Sequence, residues 1–231
     1  MGISFILLAG GVSNRLASKT PKQYHKIGGK SLIEITINKI KQFKEIKKII
    51  LVYNKRHKKN LKEIKLKNIK LIEGGNSRSA STYNALKYLK KQKYINQVLI
   101  HDAARPNFSK LLIKTILKNS KKYKVVIPVL KIQDALKKKN IKKNFFSIKK
   151  NNFFLTQTPQ CFNFNKIYQL HKKQNIKYID DDFSLVKNND KVKFITGEKK
   201  NFKITNREDL DILKSVYSSK IKIGIGFDVH R

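Results

Sequence analysis

Residues 6–15 read Ile6-Leu7-Leu8-Ala9-Gly10-Gly11-Val12-Ser13-Asn14-Arg15, and residues 20–24 read Thr20-Pro21-Lys22-Gln23-Tyr24. The apolar run that begins at Ile3 has the length and composition of a buried strand. It enters a loop of small residues, whose backbone can approach a ligand closely and turn N–H groups toward anionic oxygens. Arg15 closes the loop, and Lys22 follows. Two fixed cations beside such a loop suit charge that builds on a phosphate. The stretch predicts a strand whose carboxyl end meets a nucleotide phosphate.

Working outward, the same rhythm repeats. Ser31 and Glu34 form a capping-box pattern ahead of a helix from Leu32 to about Phe43. Ile49–Val52 is a second buried strand, and Lys70–Glu73 a short third one. Gly74-Gly75-Asn76-Ser77 is a turn that opens a helix from about Arg78 to Leu89. The strand at 97–100 ends in His101-Asp102-Ala103-Ala104-Arg105-Pro106, followed by a helix at 109–118 and a strand at 124–130. Alternating strands and helices predict an α/β fold with a mostly parallel sheet covered on both faces. Ligands of such sheets sit beyond the carboxyl ends of the strands. The polar clusters after strands 3–8, 70–73 and 97–100 therefore point to one site.

Residues 131–157 break this rhythm. They mix lysines with Phe145-Phe146 and Phe153-Phe154, and read as a protruding β-arm. Exposed aromatics there suggest a partner surface and a dimer; a hairpin packed on its own domain is the other reading. Helices at about 164–173 and 181–188 follow, then a strand near Val192–Ile195. Asn206 is placed to cap a last helix, with Asp209 in its first turn.

The chain of 231 residues carries 53 Lys and Arg against 15 Asp and Glu, a formal net charge of +38. Such a balance raises the question of nucleic acid or an acidic membrane surface. The lysines, however, are spread along nearly every segment, and no arginine-rich arm, zinc-finger spacing or aromatic RNA-binding pattern occurs. The charge instead favours encounter with polyanionic small molecules. One cysteine, Cys161, excludes an internal disulfide and fits a reducing compartment. The expectation is a cytoplasmic protein with no signal peptide, no membrane segment and no specific nucleic-acid partner.

Four blocks stand in order: Ala9–Arg15 with Pro21-Lys22-Gln23-Tyr24; Gly74-Gly75 with Arg78 and Ser81; His101–Pro106; and Asn201–Thr205 with Glu208-Asp209-Leu210. Together they resemble the 2-C-methyl-D-erythritol 4-phosphate cytidylyltransferase family over about residues 3–218. The resemblance implies a Rossmann-like nucleotidyltransferase of isoprenoid biosynthesis. The 4-phosphate of methylerythritol would attack the α-phosphorus of CTP, pyrophosphate would leave, and magnesium would accompany the triphosphate.

It also implies roles. Arg15 and Lys22 match the transition-state stabilisers; solvated surface cations are the bland alternative. Ala9, Gly10, Gly11, Val12 and Ser13 would wrap the triphosphate. Gly75, Asn76 and Ser81 match the positions that recognise cytosine. Asp102 and Ala103 would bind sugar or metal-bound phosphate, Arg105 would reach the methylerythritol phosphate, and Thr158 would help bind it. Lys203 matches a basic residue that orients the attacking phosphate. Lys150 matches a cation contributed by the arm across a dimer. The chain departs from the family's pattern at Ser13, Asn76, Ala135 and Lys150, where glycine, an acid, threonine and arginine are usual. His101 reads as structural.

Residues 223–230 resemble the opening strand of 2-C-methyl-D-erythritol 2,4-cyclodiphosphate synthase, so residues 1–218 read as a transferase domain and 219–231 as a linker and the start of a second, truncated one. Asp228 and His230 lie on one face of that strand and would be zinc ligands in a complete second domain. Two different functions stay open at this point: a cytidylyltransferase for another polyol phosphate such as ribitol 5-phosphate, and a basic nucleic-acid-binding protein.

Overall fold

A computed structural model of the chain describes residues 2–11, 20–64, 66–141, 144–173, 179, 181–187 and 190–218. Val12, Ser13, Arg15, Asp228 and His230 lie outside the described residues. In chain order the elements are β1 (Gly2–Ala9), a small hairpin of β2 (Lys26–Ile27) and β3 (Lys30–Ser31), α1 (Leu32–Ile40), β4 (Ile46–Tyr53), α2 (Lys58–Leu61), β5 (Lys70–Glu73), α3 (Arg78–Lys90), β6 (Ile95–Asp102), α4 (Lys110–Ser120) and β7 (Val125–Lys131). Then come β8 (Leu136–Lys139), β9 (Phe145–Ile148), β10 (Phe154–Thr156), β11 (Gln160–Asn163), α5 (Phe164–Lys172), β12 (Val192–Thr196) and α6 (Arg207–Ser218).

The main sheet runs in the order β10-β7-β11-β6-β1-β4-β5, with β12 pairing β7. β1, β4, β5 and β6 are mutually parallel, with Phe5 opposite both Ile49 and Leu99. Side chains alternate across this sheet because successive residues of a strand point to opposite faces. Phe5, Leu7, Leu51 and Leu99 enter one core with Ile33 and Ile37 of α1 and Ile113 and Ile116 of α4. Ile6, Ile50, Val98 and Ile100 enter the other with Ala85, Leu86 and Leu89 of α3 and Ile167 of α5. A strand buried on both faces needs apolar residues at successive positions, which is why 5–9, 49–52 and 98–100 are continuous apolar runs in the sequence. Each such buried side chain contributes about 1.5–3 kcal/mol.

The predicted helix at Leu32 starts as expected. Ser31 accepts from the Glu34 N–H at 3.2 Å, and Glu34 accepts from the Ser31 N–H at 2.8 Å. It ends at Ile40, three residues before Phe43. Leu32 and Ile35 join Ile27, Ile204, Leu210 and Leu213 in a third apolar cluster that seats α6. Asn206 caps that helix, accepting from the Asp209 N–H at 2.9 Å.

Three sequence expectations need correction. The arm is shorter than 131–157: β8 and β9 form a separate two-stranded ribbon, but β10 returns to the main sheet against β7. β11, a strand that the sequence pattern does not predict, runs antiparallel between β6 and β7. β10 and β11 follow the same edge of β7, interrupted at residues 157–159, where the Thr158–Pro159 peptide is cis. The expected helix at 181–188 is a single 3-10 turn, Asp182–Leu185, capped by Asp181, whose carboxylate accepts from the Ser184 N–H.

Candidate active site

The carboxyl ends of β1, β5 and β6 open onto one cleft of about 760 Å³. Its wall brings together Ala9, Gly10, Gly11, Lys22, Gly75, Asn76, Ser81, Asp102, Ala103 and Lys203 from the sequence-predicted set. Lys55, Arg56 and Arg78 add cations, while Glu73 and Asp102 are the carboxylates among the described lining residues. The cleft is thus built for a polyanion.

The loop after β1 is held from behind. Buried Gln23 donates from Nε2 to the carbonyls of Ala9 at 2.7 Å and Gly11 at 3.0 Å. Asn54 donates to the Gly10 carbonyl at 3.1 Å. Three successive carbonyls are therefore turned toward protein amides. Among the described residues, a side chain added at Gly11 would meet nothing within 4 Å, and one at Gly10 only the Ser81 hydroxyl at 3.8 Å. Both glycines line the cleft wall.

Gln23 and Lys22 share one short 3-10 turn, Lys22–Tyr24. While Gln23 clamps the loop, Lys22 donates from Nζ to the Ile204 carbonyl at 2.8 Å. Ile204 in turn donates its N–H to the Ala104 carbonyl at 2.9 Å. The segment 201–205 is thereby tied to the loop after β6, and it carries Lys203 to the cleft.

The turn after β5 packs tightly on the start of α3. A Cβ at Gly75 would lie 2.5 Å from the Ala80 Cβ, so glycine is required for this approach. Ser81 accepts from the Gly75 N–H at 3.1 Å, and Ser77 caps α3 by accepting from the Ala80 N–H at 3.0 Å.

After β6 the His101–Arg105 loop is closed by hydrogen bonds. His101 is fully buried, with Nε2 3.0 Å from the Arg105 carbonyl and Nδ1 2.9 Å from the Thr158 hydroxyl. A carbonyl only accepts, so Nε2 carries the hydrogen and Nδ1 accepts from Thr158. Thr158 also accepts from the Asp102 N–H at 3.1 Å. Burial pushes the imidazole down to about 3, so it is neutral and structural, as the sequence suggested.

Asp102 faces the cleft between two cations. Arg78 donates from Nε and Nη2 to its Oδ1 at 3.3 Å, and Lys203 Nζ lies 2.9 Å from Oδ2. Burial opposes its charge, but the cations at Arg78 and Lys203 more than offset that and hold the carboxyl well below the usual range. Arg78 is gripped again from behind by buried Asp182, Nη1 to Oδ2 at 2.6 Å. Asp182 also accepts from His171 at 3.0 Å, and His171 meets Ser79 at 3.2 Å.

Three predicted residues do not line the cleft. Arg105 donates to the Asn201 carbonyl at 3.0 Å. Thr158 is buried beneath Asp102. Lys150 sits at the base of the arm, half-buried, and donates to the Gln133 carbonyl. Conversely, Gln23, Arg78 and Asp182 are absent from the sequence-based set. The Pro21-Lys22-Gln23 block signalled Gln23; Arg78 and Asp182 stand 104 residues apart, with no local pattern to join them. Among the described residues no cluster of three His, Cys, Asp or Glu side chains is placed to hold a metal, and no helix is long and apolar enough to cross a membrane.

Comparison with known proteins adds to this geometry. A family model described as IspD, 2-C-methyl-D-erythritol 4-phosphate cytidylyltransferase, matches residues 3–218. The chain is 43% identical over 231 residues to a bifunctional enzyme IspD/IspF of Pelagibacter ubique, covering all of this chain and 60% of that protein. It is 37% identical over 221 residues to a 2-C-methyl-D-erythritol 4-phosphate cytidylyltransferase of Clostridium beijerinckii, covering 90% of this chain and 95% of that one. The crystal structure of a 4-diphosphocytidyl-2C-methyl-D-erythritol synthase from Anaerococcus prevotii superposes with a TM-score of 0.77 at 31% identity, covering 94% of this chain and 98% of that one. The chain spans about 60% of the length of the bifunctional relatives it matches.

Proposed function

The chain belongs to the 2-C-methyl-D-erythritol 4-phosphate cytidylyltransferase family, and on that premise we propose that it transfers the cytidylyl group of CTP to 2-C-methyl-D-erythritol 4-phosphate, releasing pyrophosphate. The observation that carries this reading is the meeting of Lys22, Lys203 and the open backbone of Gly10 and Gly11 in one cationic cleft.

The chemical problem is repulsion. A phosphate anion approaches a triphosphate, and the transition state gathers charge around one phosphorus. The nucleophile is already ionised, so no general base is needed; fixed cations and backbone donors lower the barrier. Neutral, buried His101 is consistent with that. Ala9, Gly10 and Gly11, with Val12 and Ser13 of the same loop, cradle the triphosphate. Lys22, with Arg15, stabilises the charge at the α-phosphorus, and Lys203 orients the attacking phosphate. The Gly75–Ser81 turn reads the cytosine edge, with Asn76 on the cleft wall. Asp102, held ionised on that wall, fits a divalent ion carried in with the triphosphate, because magnesium takes few protein carboxylates and completes its shell with water and phosphate oxygens. The chemistry such an ion would supply is screening of the phosphate charge.

Arg105 and Thr158 act from beneath, by holding the 201–205 segment and Asp102. Lys150 serves a second copy's cleft, and the arm is where two copies meet: Phe145 and Phe146 are 66% and 53% exposed on a ribbon that makes its own small sheet. Residues 219–231 read as a linker and the first strand of a synthase-like domain, and Asp228 and His230 would be zinc ligands only where that domain is complete. The reading places the protein in the cytoplasm, in isoprenoid biosynthesis.

The test is a pyrophosphate-release assay with CTP and magnesium, run on methylerythritol 4-phosphate and on ribitol 5-phosphate. Release with the first and little with the second is expected. Preference for ribitol 5-phosphate overturns the substrate; release with neither overturns the transferase.

A further inference from the structure

Asp182, Arg78, Asp102 and Lys203 form a line of alternating charge that runs from the interior to the cleft. Their side chains are 0%, 21%, 12% and 38% exposed. The two cations on Asp102 are therefore unlike. Arg78 is gripped by two carboxylates, with Nη1 on Asp182 and Nε and Nη2 on Asp102, and its planar fork is satisfied on both sides. Asp182 is in turn anchored by His171, which is fixed by Ser79 one residue beyond Arg78. Among the described residues Lys203 has one ionic contact, to Asp102, on a flexible four-carbon stem at the most exposed end of the line.

A largely buried carboxylate does not give up its counter-ions without cost. If Lys203 were the sole cation on Asp102, turning its ammonium toward a substrate phosphate would strip a desolvated charge of its partner. With Arg78 locked in place, Asp102 stays compensated when Lys203 leaves. We propose that Arg78 is a positioning residue that holds the Asp102 carboxylate so that Lys203 is free to exchange from Asp102 to a phosphate in the cleft. The unit Asp182–Arg78 is then the fixed half of the device, and Lys203 the movable half. The inference rests on the cytidylyl-transfer reading for the identity of the phosphate, but its electrostatic content needs only a phosphate ligand.

A double-mutant cycle on the full chain tests it, with calorimetric binding of inorganic pyrophosphate read beside turnover. Lys203→Ala and Arg78→Gln are each expected to weaken pyrophosphate binding by about tenfold. The double variant is expected to match either single variant within about threefold, because without Arg78 the lysine stays on Asp102; such coupling falls in the range seen for residues in one ionic network. In turnover, Arg78→Gln is expected to raise the KM for the polyol phosphate more than it lowers kcat. A double variant about a hundredfold weaker, the product of the single losses, overturns the proposal, as does Arg78→Gln with wild-type affinity. If Arg78→Gln does not fold, Asp182→Asn, which keeps Arg78 but frees it from its anchor, takes its place in the cycle, and additive losses overturn the proposal there too. Wild-type protein that binds pyrophosphate but releases none from CTP refutes the transferase reading and leaves the cycle to be judged on binding alone.

Discussion

The cleft and the arm are made from the same residue type and use it in opposite ways. On the arm, Lys137, Lys138 and Lys139 of β8 are exposed; Lys137 donates to the Ser147 hydroxyl and Lys139 lies over the Phe145 ring. In the cleft, Lys203 and Arg78 are set by carboxylates, and Lys22 by a backbone carbonyl. With 53 basic residues in the chain, positive charge by itself distinguishes nothing. A cation becomes an instrument when its surroundings fix where it points, and the 15 acidic residues are spent partly on that.

The contrast breaks first at Asp182. Asp182→Ala leaves Arg78 in a largely buried place with one partner gone, and a loss of about 3–5 kcal/mol in unfolding free energy is expected from urea titration. A loss near zero would mean that the cleft is no more fixed than the arm. Next, Lys22→Ala is expected to lower turnover by about 10²- to 10³-fold with little change in melting temperature. Lys138→Ala on the arm is the paired control, and equal losses from both would erase the distinction.

Acid sharpens the comparison further. His101 is held neutral down to about 3 by burial, against 6.5 in the unfolded chain. The unfolded state takes up the proton first, so its contribution to stability is complete above about 6.5 and is lost as pH falls toward 3. Asp102 adds in the same direction, since its depressed folded value makes its contribution present above 3.8 and lost below. A stability profile by denaturant titration should fall across that window and flatten in His101→Gln. The smallest effect belongs to the arm: Phe146→Ser should change folding free energy by less than about 0.5 kcal/mol, while shifting any self-association seen by analytical ultracentrifugation toward monomer.

What could be read from the sequence follows burial. β1, β4 and β6 are covered on both faces, so their residues form unbroken apolar runs that stand out. β11 holds four residues between longer strands, and its identity depends on β6 and β7 on either side of it. Asp182 begins a single 3-10 turn whose sequence resembles a helix start, with Asp181 as a cap. The cleft was legible wherever function lies at strand ends, as for Gly10, Asp102 and Gly75. It was illegible where a side chain works through a distant partner. Arg78 stood inside a recognised block, yet its importance comes from Asp182, which only the folded chain brings to it.

The bond from Lys22 to the Ile204 carbonyl has one more consequence. Lys203 is the neighbouring residue, so the Lys22 ammonium tethers the same short piece of backbone that carries the Lys203 side chain. A displacement of that piece would move Lys203 and break the Lys22 tether together, so the placement of the two charges is coupled through one contact.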